Sequence, residues 1–97
     1  MRIISIKLLK QFWTIHPRAE EALKAWHSEA KAASWATPAD IKKQYGTASI
    51  LRDGRVVFNI AGNKFRLVAW INYEYWIVYV RFVGTHVEYD KINADTV

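Results

Sequence analysis

No cysteine occurs in the 97 residues, so the chain has neither a disulfide framework nor a thiolate ligand for a metal ion. No apolar run approaches the roughly 18 residues that a membrane-spanning helix requires, and the opening residues lead into charges rather than a signal-peptide core. Internal repeats, linkers and low-complexity segments are also missing. We therefore expect a cytoplasmic protein without a membrane partner.

Apolar and aromatic side chains, in contrast, are abundant. Apolar residues make up 52% of the sequence and aromatic residues 14%, and five residues are tryptophan. A disordered segment is far less apolar, and 97 residues suffice for one hydrophobic core but not for two. The composition predicts a single globular domain over residues 1–97.

Positive charge is concentrated in the middle of the chain. The net charge is +5, and residues 42–81 alone carry seven basic and two acidic side chains, which equals the whole excess. A basic block that is also rich in strand formers favours a polyanionic partner, with nucleic acid first. A charged face that only maintains solubility is the alternative.

The first half of the sequence has the apolar spacing of helices. A short strand over residues 2–4 precedes a helix that Ser5 begins, and Pro17 fits the first position of a second helix over residues 17–34. Thr37 and Pro38 predict the start of a third helix, which ends at Gly46.

After Gly46 the apolar pattern alternates with a period of two, as in strands. Strands are predicted over residues 48–51, 55–61, 64–73 and 76–83, with Gly84 ending the last one. The connections at 53–54, 62–63 and 74–75 are short, so these strands must be antiparallel. The whole pattern predicts an α+β fold in which N-terminal helices pack on one face of a small, mainly antiparallel twisted sheet.

The alternation also assigns the two faces of this sheet. The helix-covered face takes the apolar positions, namely Val56, Phe58, Ile60, Phe65, Leu67, Ala69, Ile71, Val78, Val80 and Phe82. The opposite face gathers Arg55, Asn59, Lys64, Arg66 and Arg81. Because cations on neighbouring strands repel each other, a phosphate or an acidic partner would stabilise this face.

A short segment after the last strand adds groups that can transfer protons. His86 and Tyr89 are three residues apart, so one helical turn places them on the same side, beside Arg81. RNA carries its own nucleophile, the 2′-hydroxyl, and its cleavage needs a base, an acid and cations for the phosphate. Arg66, Arg81 and Lys64 supply the cations, and His86 and Tyr89 the proton transfer.

Other side chains of the basic block are candidates for binding the RNA away from the cleaved bond. They are Arg55, Asn59, Asn63, Lys42 and Lys43, with Trp70 as a stacking surface for a base. Each of these residues, taken alone, also fits a surface ion pair or a sheet-capping role. His16 and His27 have no acidic partner at metal-ligand spacing, so we expect neither a metal nor another cofactor.

Two strings of residues resemble a known family. They cover residues 57–68, with Lys-Phe-Arg-Leu at 64–67, and residues 79–92, with Gly-Thr-His-x-Glu-Tyr-Asp at 84–90, and the likeness extends through residues 16–17, 23–26 and 35–42. Together they resemble the HigB toxins of type II toxin–antitoxin systems, which belong to the RelE-like toxins. The resemblance covers nearly the whole chain.

The resemblance implies an endoribonuclease that cleaves mRNA on the ribosome and is neutralised by a helix-turn-helix antitoxin of the HigA type. It implies that Arg66 holds the scissile phosphate and that Tyr89 matches a catalytic tyrosine of some relatives. His86 stands where relatives have arginine or histidine. Lys64 and Arg81 match basic positions whose catalytic roles differ among relatives. The resemblance leaves open which residue is acid and which is base.

A second class of function fits the same cations. A basic module that grips RNA and blocks translation without cutting it would also need a positive sheet face. A DNA-binding protein is less well supported, since the cations lie on strands rather than on one recognition helix.

Overall fold

The computed structural model describes all residues from Met1 to Val97. Its elements in chain order are β1 (Arg2–Ile4), α1 (Ile6–Ile15), a 3₁₀ turn (Pro17–Ala19), α2 (Glu20–Ala32), α3 (Pro38–Gln44), β2 (Ser49–Ile50), β3 (Arg55–Ile60), β4 (Phe65–Asn72), β5 (Ile77–Thr85) and α4 (His86–Tyr89). The five strands form one sheet in the order β1-β5-β4-β3-β2. Only β1 runs parallel to its neighbour, so the predicted α+β fold with a mainly antiparallel sheet is confirmed. No helix is both long and apolar enough to cross a membrane.

The helices begin and end near the predicted residues, with one difference. The sequence predicts a second helix from Pro17, but residues 17–19 form a 3₁₀ turn and α2 starts at Glu20. His16 caps α1 with a non-helical backbone (φ −120°, ψ 79°), so the chain changes direction here and one tight turn precedes α2. At α3 the predicted cap is confirmed, since the Asp40 carboxylate accepts hydrogen bonds from the backbone N–H groups of Ala36 and Thr37.

The main core lies between the helices and one face of the sheet. Phe58 on β3 is at its centre and is 1% exposed. Its ring lies 5.3 Å from the Trp26 ring of α2, 6.0 Å from Trp35 and 5.2 Å from Tyr45, measured between centroids. Aromatic packing from three separate segments therefore fixes the sheet under the helices.

A bulge in β5 overturns part of the predicted alternation. Val68 of β4 pairs with Phe82, but the next residue, Ala69, pairs with Val80, so Arg81 is the extra residue. An extra residue reverses the side-chain pattern beyond it. Phe82 therefore lies on the face opposite the helices, not in the helix-covered core as predicted, and Val83 packs against that core instead.

Gly84 was expected to end the last strand, but β5 continues through it to Thr85. Gly84 is buried, and a Cβ atom on it would lie 2.5 Å from Cζ of Phe82. The glycine is thus needed for close packing inside the strand rather than for a turn.

The face opposite the helices, here called the outer face, has its own small apolar layer. Val57 and Val68 are 4% and 0% exposed although they alternate away from the helix-side core. The C-terminal segment reaches this face, since the carbonyl oxygen of Val97 accepts a hydrogen bond from Arg55 Nη2 at 3.1 Å. The C-terminal residue therefore contacts the outer face at the start of β3.

We expect Phe58→Ala to destabilise the fold strongly. The substitution removes a ring that contacts three other aromatic side chains and leaves a cavity, which costs about 3–5 kcal/mol. Urea unfolding of the wild type and the variant measures the change. The matched control is Ile50→Ala at the exposed edge strand β2, where the effect stays within about 0.5 kcal/mol. Equal effects for both variants would contradict this account of the core.

Candidate active site

The short helix α4 is fixed at the end of β5 by a reciprocal cap. Glu88 Oε1 accepts a hydrogen bond from the Thr85 N–H at 2.8 Å, and Thr85 Oγ1 accepts one from the Glu88 N–H at 3.1 Å. Such a box satisfies two backbone donors of a helix that is too short to be stable alone. The cap therefore determines where His86 and Tyr89 stand, and the predicted helical turn between them is confirmed.

Arg66 projects from the outer face beside this helix. Its Nη1 donates to the Asn63 carbonyl at 3.0 Å and to the Phe65 carbonyl at 3.3 Å, and its Nη2 donates to Asn63 Oδ1 at 3.2 Å. The guanidinium carbon lies 5.9 Å from the centroid of the Tyr89 ring, within cation–π range. The structure thus brings together Arg66 and Tyr89, which are 23 positions apart in the sequence.

The hydrogen bonds of Arg66 leave part of its charge for a ligand. Three of the five N–H donors of a guanidinium are used on neutral oxygens, and no carboxylate pairs with this side chain. Two donors remain, which suits bidentate binding of a phosphate. The backbone of the β3–β4 turn therefore orients the cation without neutralising it.

His86 joins the same group through α4 and through the β3–β4 turn. Its backbone N–H donates to the Lys64 carbonyl at 3.1 Å. Its imidazole Nδ1 lies 3.4 Å from Asp90 Oδ2, and half of its side chain is exposed. The Asp90 carboxylate orients the imidazole with Nδ1 toward it, which leaves Nε2 for a substrate.

Arg55, Arg81 and Trp70 form a second group on the outer face. Val97 O accepts a hydrogen bond from Arg81 Nε at 3.4 Å in addition to the one from Arg55. Trp70 pairs with Arg55 across the strands, stacks on Tyr79 at 5.1 Å and donates its indole N–H to the Asp53 carbonyl. Trp70 is four residues along β4 from Arg66, about 13 Å at roughly 3.3 Å per residue. The predicted basic face therefore exists but consists of two groups.

The remaining candidates are more dispersed. The Lys42 ammonium donates to the carbonyls of Gly46 (2.8 Å) and Ala48 (2.6 Å), beside the edge strand β2, and Lys43 is exposed nearby. The Asn59 amide donates to the Thr47 carbonyl at 3.1 Å. Lys64 is exposed next to Arg66. Asn59 lies directly opposite Arg66 in the β3–β4 register, so of these four side chains the structure brings Asn59 and Lys64 to the Arg66 group and leaves Lys42 and Lys43 near β2.

Two contributors to the site were not recognised from the sequence. Asn63, a predicted RNA contact, also positions Arg66, and Glu88, for which the sequence analysis predicts no role, holds α4 in place. The spacing Thr-x-x-Glu at residues 85–88 is a capping-box signal and was sufficient to identify Glu88. No sequence signal identified the bond between the Arg66 guanidinium and the turn.

The chain is similar to a family of toxins and to curated relatives over most of its length. A family model described as the HigB toxin, a RelE-like toxic component of a toxin–antitoxin system, matches residues 19–92. The mRNA interferase toxin HigB of Escherichia coli K12 is 30% identical over 96 residues, covering 97% of this chain and 92% of that protein. The mRNA interferase HigB of Shigella flexneri has the same identity and coverage. That of Escherichia coli O6:H1 strain CFT073 is 26% identical over 95 residues, covering 96% of this chain and 92% of that protein.

The cap on α4 predicts a titration. The hydrogen bond from the Thr85 N–H, helped by the Thr85 hydroxyl and the charges of His16 and Lys91, lowers the pKa of Glu88 from its ordinary value of 4.5. A lowered carboxyl pKa stabilises the cap above about pH 4.5, and this contribution is lost as the pH falls through the folded-state pKa. NMR should show the Glu88 carboxyl and the Thr85 amide titrating together with a midpoint below 4.5. In Glu88→Gln the Thr85 amide should no longer titrate, and a wild-type midpoint at or above 4.5 would refute the cap.

Proposed function

Since the chain belongs to the HigB family of RelE-like toxins, we propose that it is an endoribonuclease that cleaves mRNA, with Arg66, Tyr89, His86 and Lys64 as its active site. The observation that carries the proposal is the Arg66 guanidinium, which is oriented by neutral oxygens and has two donors left beside the phenol of Tyr89. The family expectation for Arg66 and the local geometry therefore point to the same phosphate-binding role.

The strand-breaking step needs a base, an acid and cations for the phosphate, all of which the chain supplies, and water enters only in the later hydrolysis of the cyclic product. A base removes the proton of the 2′-hydroxyl, the 2′-oxygen bonds to phosphorus, the bond from phosphorus to the 5′-oxygen breaks, and an acid protonates that oxygen. The products are a 5′-hydroxyl and a 2′,3′-cyclic phosphate, which hydrolyses to a 3′-phosphate. Arg66 and Lys64 bind the phosphate as its charge develops, and His86 and Tyr89 share the two proton transfers.

The second group on the outer face extends the binding surface for the message. Arg55 lies opposite Trp70, about 13 Å from Arg66 at roughly 3.3 Å per residue along β4, and Arg81 lies nearer, at the bulge between the positions of Val68 and Ala69. Both bind phosphates next to the cleaved one. Trp70 adds an aromatic surface for a base. Lys42 and Lys43 lie outside this path, because the Lys42 ammonium is bonded to loop carbonyls near β2. Asn59 lies within the path, opposite Arg66 on β3, and the Thr47 carbonyl accepts a hydrogen bond from its amide.

The partners follow from the family. A toxic component of a toxin–antitoxin system has an antitoxin, and we assign a helix-turn-helix antitoxin of the HigA type to this chain. We assign cleavage to messages on the translating ribosome, and hence to the cytoplasm. The net charge of +5 favours approach to both mRNA and ribosomal RNA.

Arg66→Ala should abolish most of the activity. Loss of one preorganised donor group for the developing charge lowers the cleavage rate by about 10²–10³-fold. Primer extension on mRNA from cells expressing the toxin measures new 5′ ends, and growth arrest should disappear in parallel. The matched control is Arg52→Ala, an exposed arginine in the β2–β3 turn that should leave cleavage unchanged. Full cleavage by a folded Arg66→Ala protein would overturn the assignment.

Attack by the 2′-hydroxyl predicts a strict chemical requirement. A message with a single 2′-deoxynucleotide on the 5′ side of the cleaved bond should not be cut there, whereas deoxy substitution two nucleotides away should be tolerated. Translation reactions with these messages, followed by primer extension, provide the measurement. Cleavage at the deoxy position would refute the mechanism, and arrest of translation without any new 5′ ends would favour the non-cleaving RNA-binding module.

A further inference from the structure

Part of the β5 edge has no neighbouring strand. β1 pairs only with Ile77–Tyr79, through Arg2–Ile4, and the chain then turns into α1. On its other side β5 pairs with β4 along its length. Residues 80–85 of β5 therefore present an edge with no strand beside it.

The hydrogen-bond pattern shows which groups this edge offers. The His86 N–H donates to the Lys64 carbonyl of the neighbouring chain segment. In an antiparallel pair the backbone groups of every second residue point toward the same neighbour. The backbone groups of Gly84 and Phe82 therefore bond to β4. The backbone N–H and carbonyl groups of Thr85 and Val83 then point away from β4. The Thr85 N–H does point away from β4, since it donates to the Glu88 carboxylate. Val83 is thus left with an N–H and a carbonyl directed at the open edge.

A groove runs along this edge between β5 and α1. It consists of a cleft of about 530 Å³ and an adjoining depression of about 200 Å³, which share Leu8 and Gln11 as a common wall. The depression is apolar and is lined by Phe12, Ile15 and Val83. Ile15 is 75% exposed, a large value for an isoleucine that adjoins the core.

The larger cleft is cationic. Lys7 and Arg81 line it, and no carboxylate lines either part of the groove. Neither cation pairs with an aspartate or glutamate of the chain, and the one bonded oxygen near either of them is Val97 O, which accepts from Arg81 Nε at 3.4 Å. A ligand for the whole groove must therefore be acidic at the Lys7 end and apolar at the Ile15 end.

These features fit an extended peptide better than the alternatives. A strand edge offers alternating backbone donors and acceptors, which a peptide matches and a nucleic acid does not. The apolar end of the groove gives nothing to bind a phosphate. A second copy of this chain, pairing edge to edge, would bring two sets of Lys7 and Arg81 together, which is unfavourable.

We propose that this groove binds an extended segment of the antitoxin, which adds a strand to the open edge of β5. The segment places acidic residues against Lys7 and Arg81 and apolar residues against Ile15 and Phe12, and its backbone bonds to Val83. The inference rests on the proposed function, since it takes the antitoxin as the partner. The docking surface lies along the α1 side of β5, whereas the Arg66 group lies on the outer face.

Hydrogen exchange at the Val83 amide tests the added strand directly. In the isolated protein Val83 should exchange faster than Phe82 and Gly84, which bond to β4. In the complex with the antitoxin encoded by the neighbouring reading frame, Val83 should slow by at least tenfold. A complex in which Val83 exchanges as before overturns the docking but leaves mRNA cleavage untouched. If no complex forms, the docking and the antitoxin assignment both fail, while cleavage is still judged by primer extension.

Two variants test the side-chain contacts. Ile15→Asp and Lys7→Glu should each weaken the antitoxin complex at least tenfold in a titration, with new 5′ ends in mRNA unchanged when the antitoxin is absent. The matched control for Ile15→Asp is Ile50→Asp, on the distant edge strand β2. The matched control for Lys7→Glu is Lys10→Glu, because Lys10 lies on the same helix but does not line the groove and is close to His27 of α2. Controls that weaken the complex as much as the test variants would contradict a specific groove.

Discussion

The reciprocal cap between Thr85 and Glu88 is the constraint on which the candidate site depends. A four-residue helix has no stability of its own, and α4 persists because the Glu88 carboxylate takes the outward N–H at the end of β5. Because this bond occupies the Thr85 N–H, the unpaired edge of β5 offers no free donor beyond Val83. As a result, His86 and Tyr89 have a fixed position relative to Arg66.

Arg66 illustrates how a cation is kept both oriented and available. A carboxylate partner would position a guanidinium equally well but would cancel its charge and compete with a phosphate. Here the Asn63 carbonyl and side-chain oxygen, with the Phe65 carbonyl, provide the orientation instead. The Tyr89 ring adds a cation–π contact that also leaves the charge in place. Local turn geometry thus preserves a charge that ordinary ion pairing would have consumed.

The sequence was sufficient for those features that local pattern controls. Alternation and turn residues predicted the sheet, Thr37 and Pro38 predicted the start of α3, and spacing predicted the turn that joins His86 to Tyr89. The errors came from features without a local signal. Nothing in the residues around Arg81 marks a bulge, because it arises from the mismatch between β4 and β5 and is visible only in their pairing. The division of the basic face into two groups was hidden for the same reason.

That bulge also explains how one strand can serve two surfaces. Without the extra residue, Phe82 would point into the helix-covered core and Val83 away from it. With it, Phe82 packs over Gly84 on the outer face, next to the strand pair that carries Arg66, and Val83 turns toward α1 and the groove. Arg81, at the bulge itself, lines the groove and also bonds to the C-terminal segment on the outer face. Binding along the edge and binding across the outer face therefore meet at one residue, which provides a physical route by which occupation of one surface affects the other.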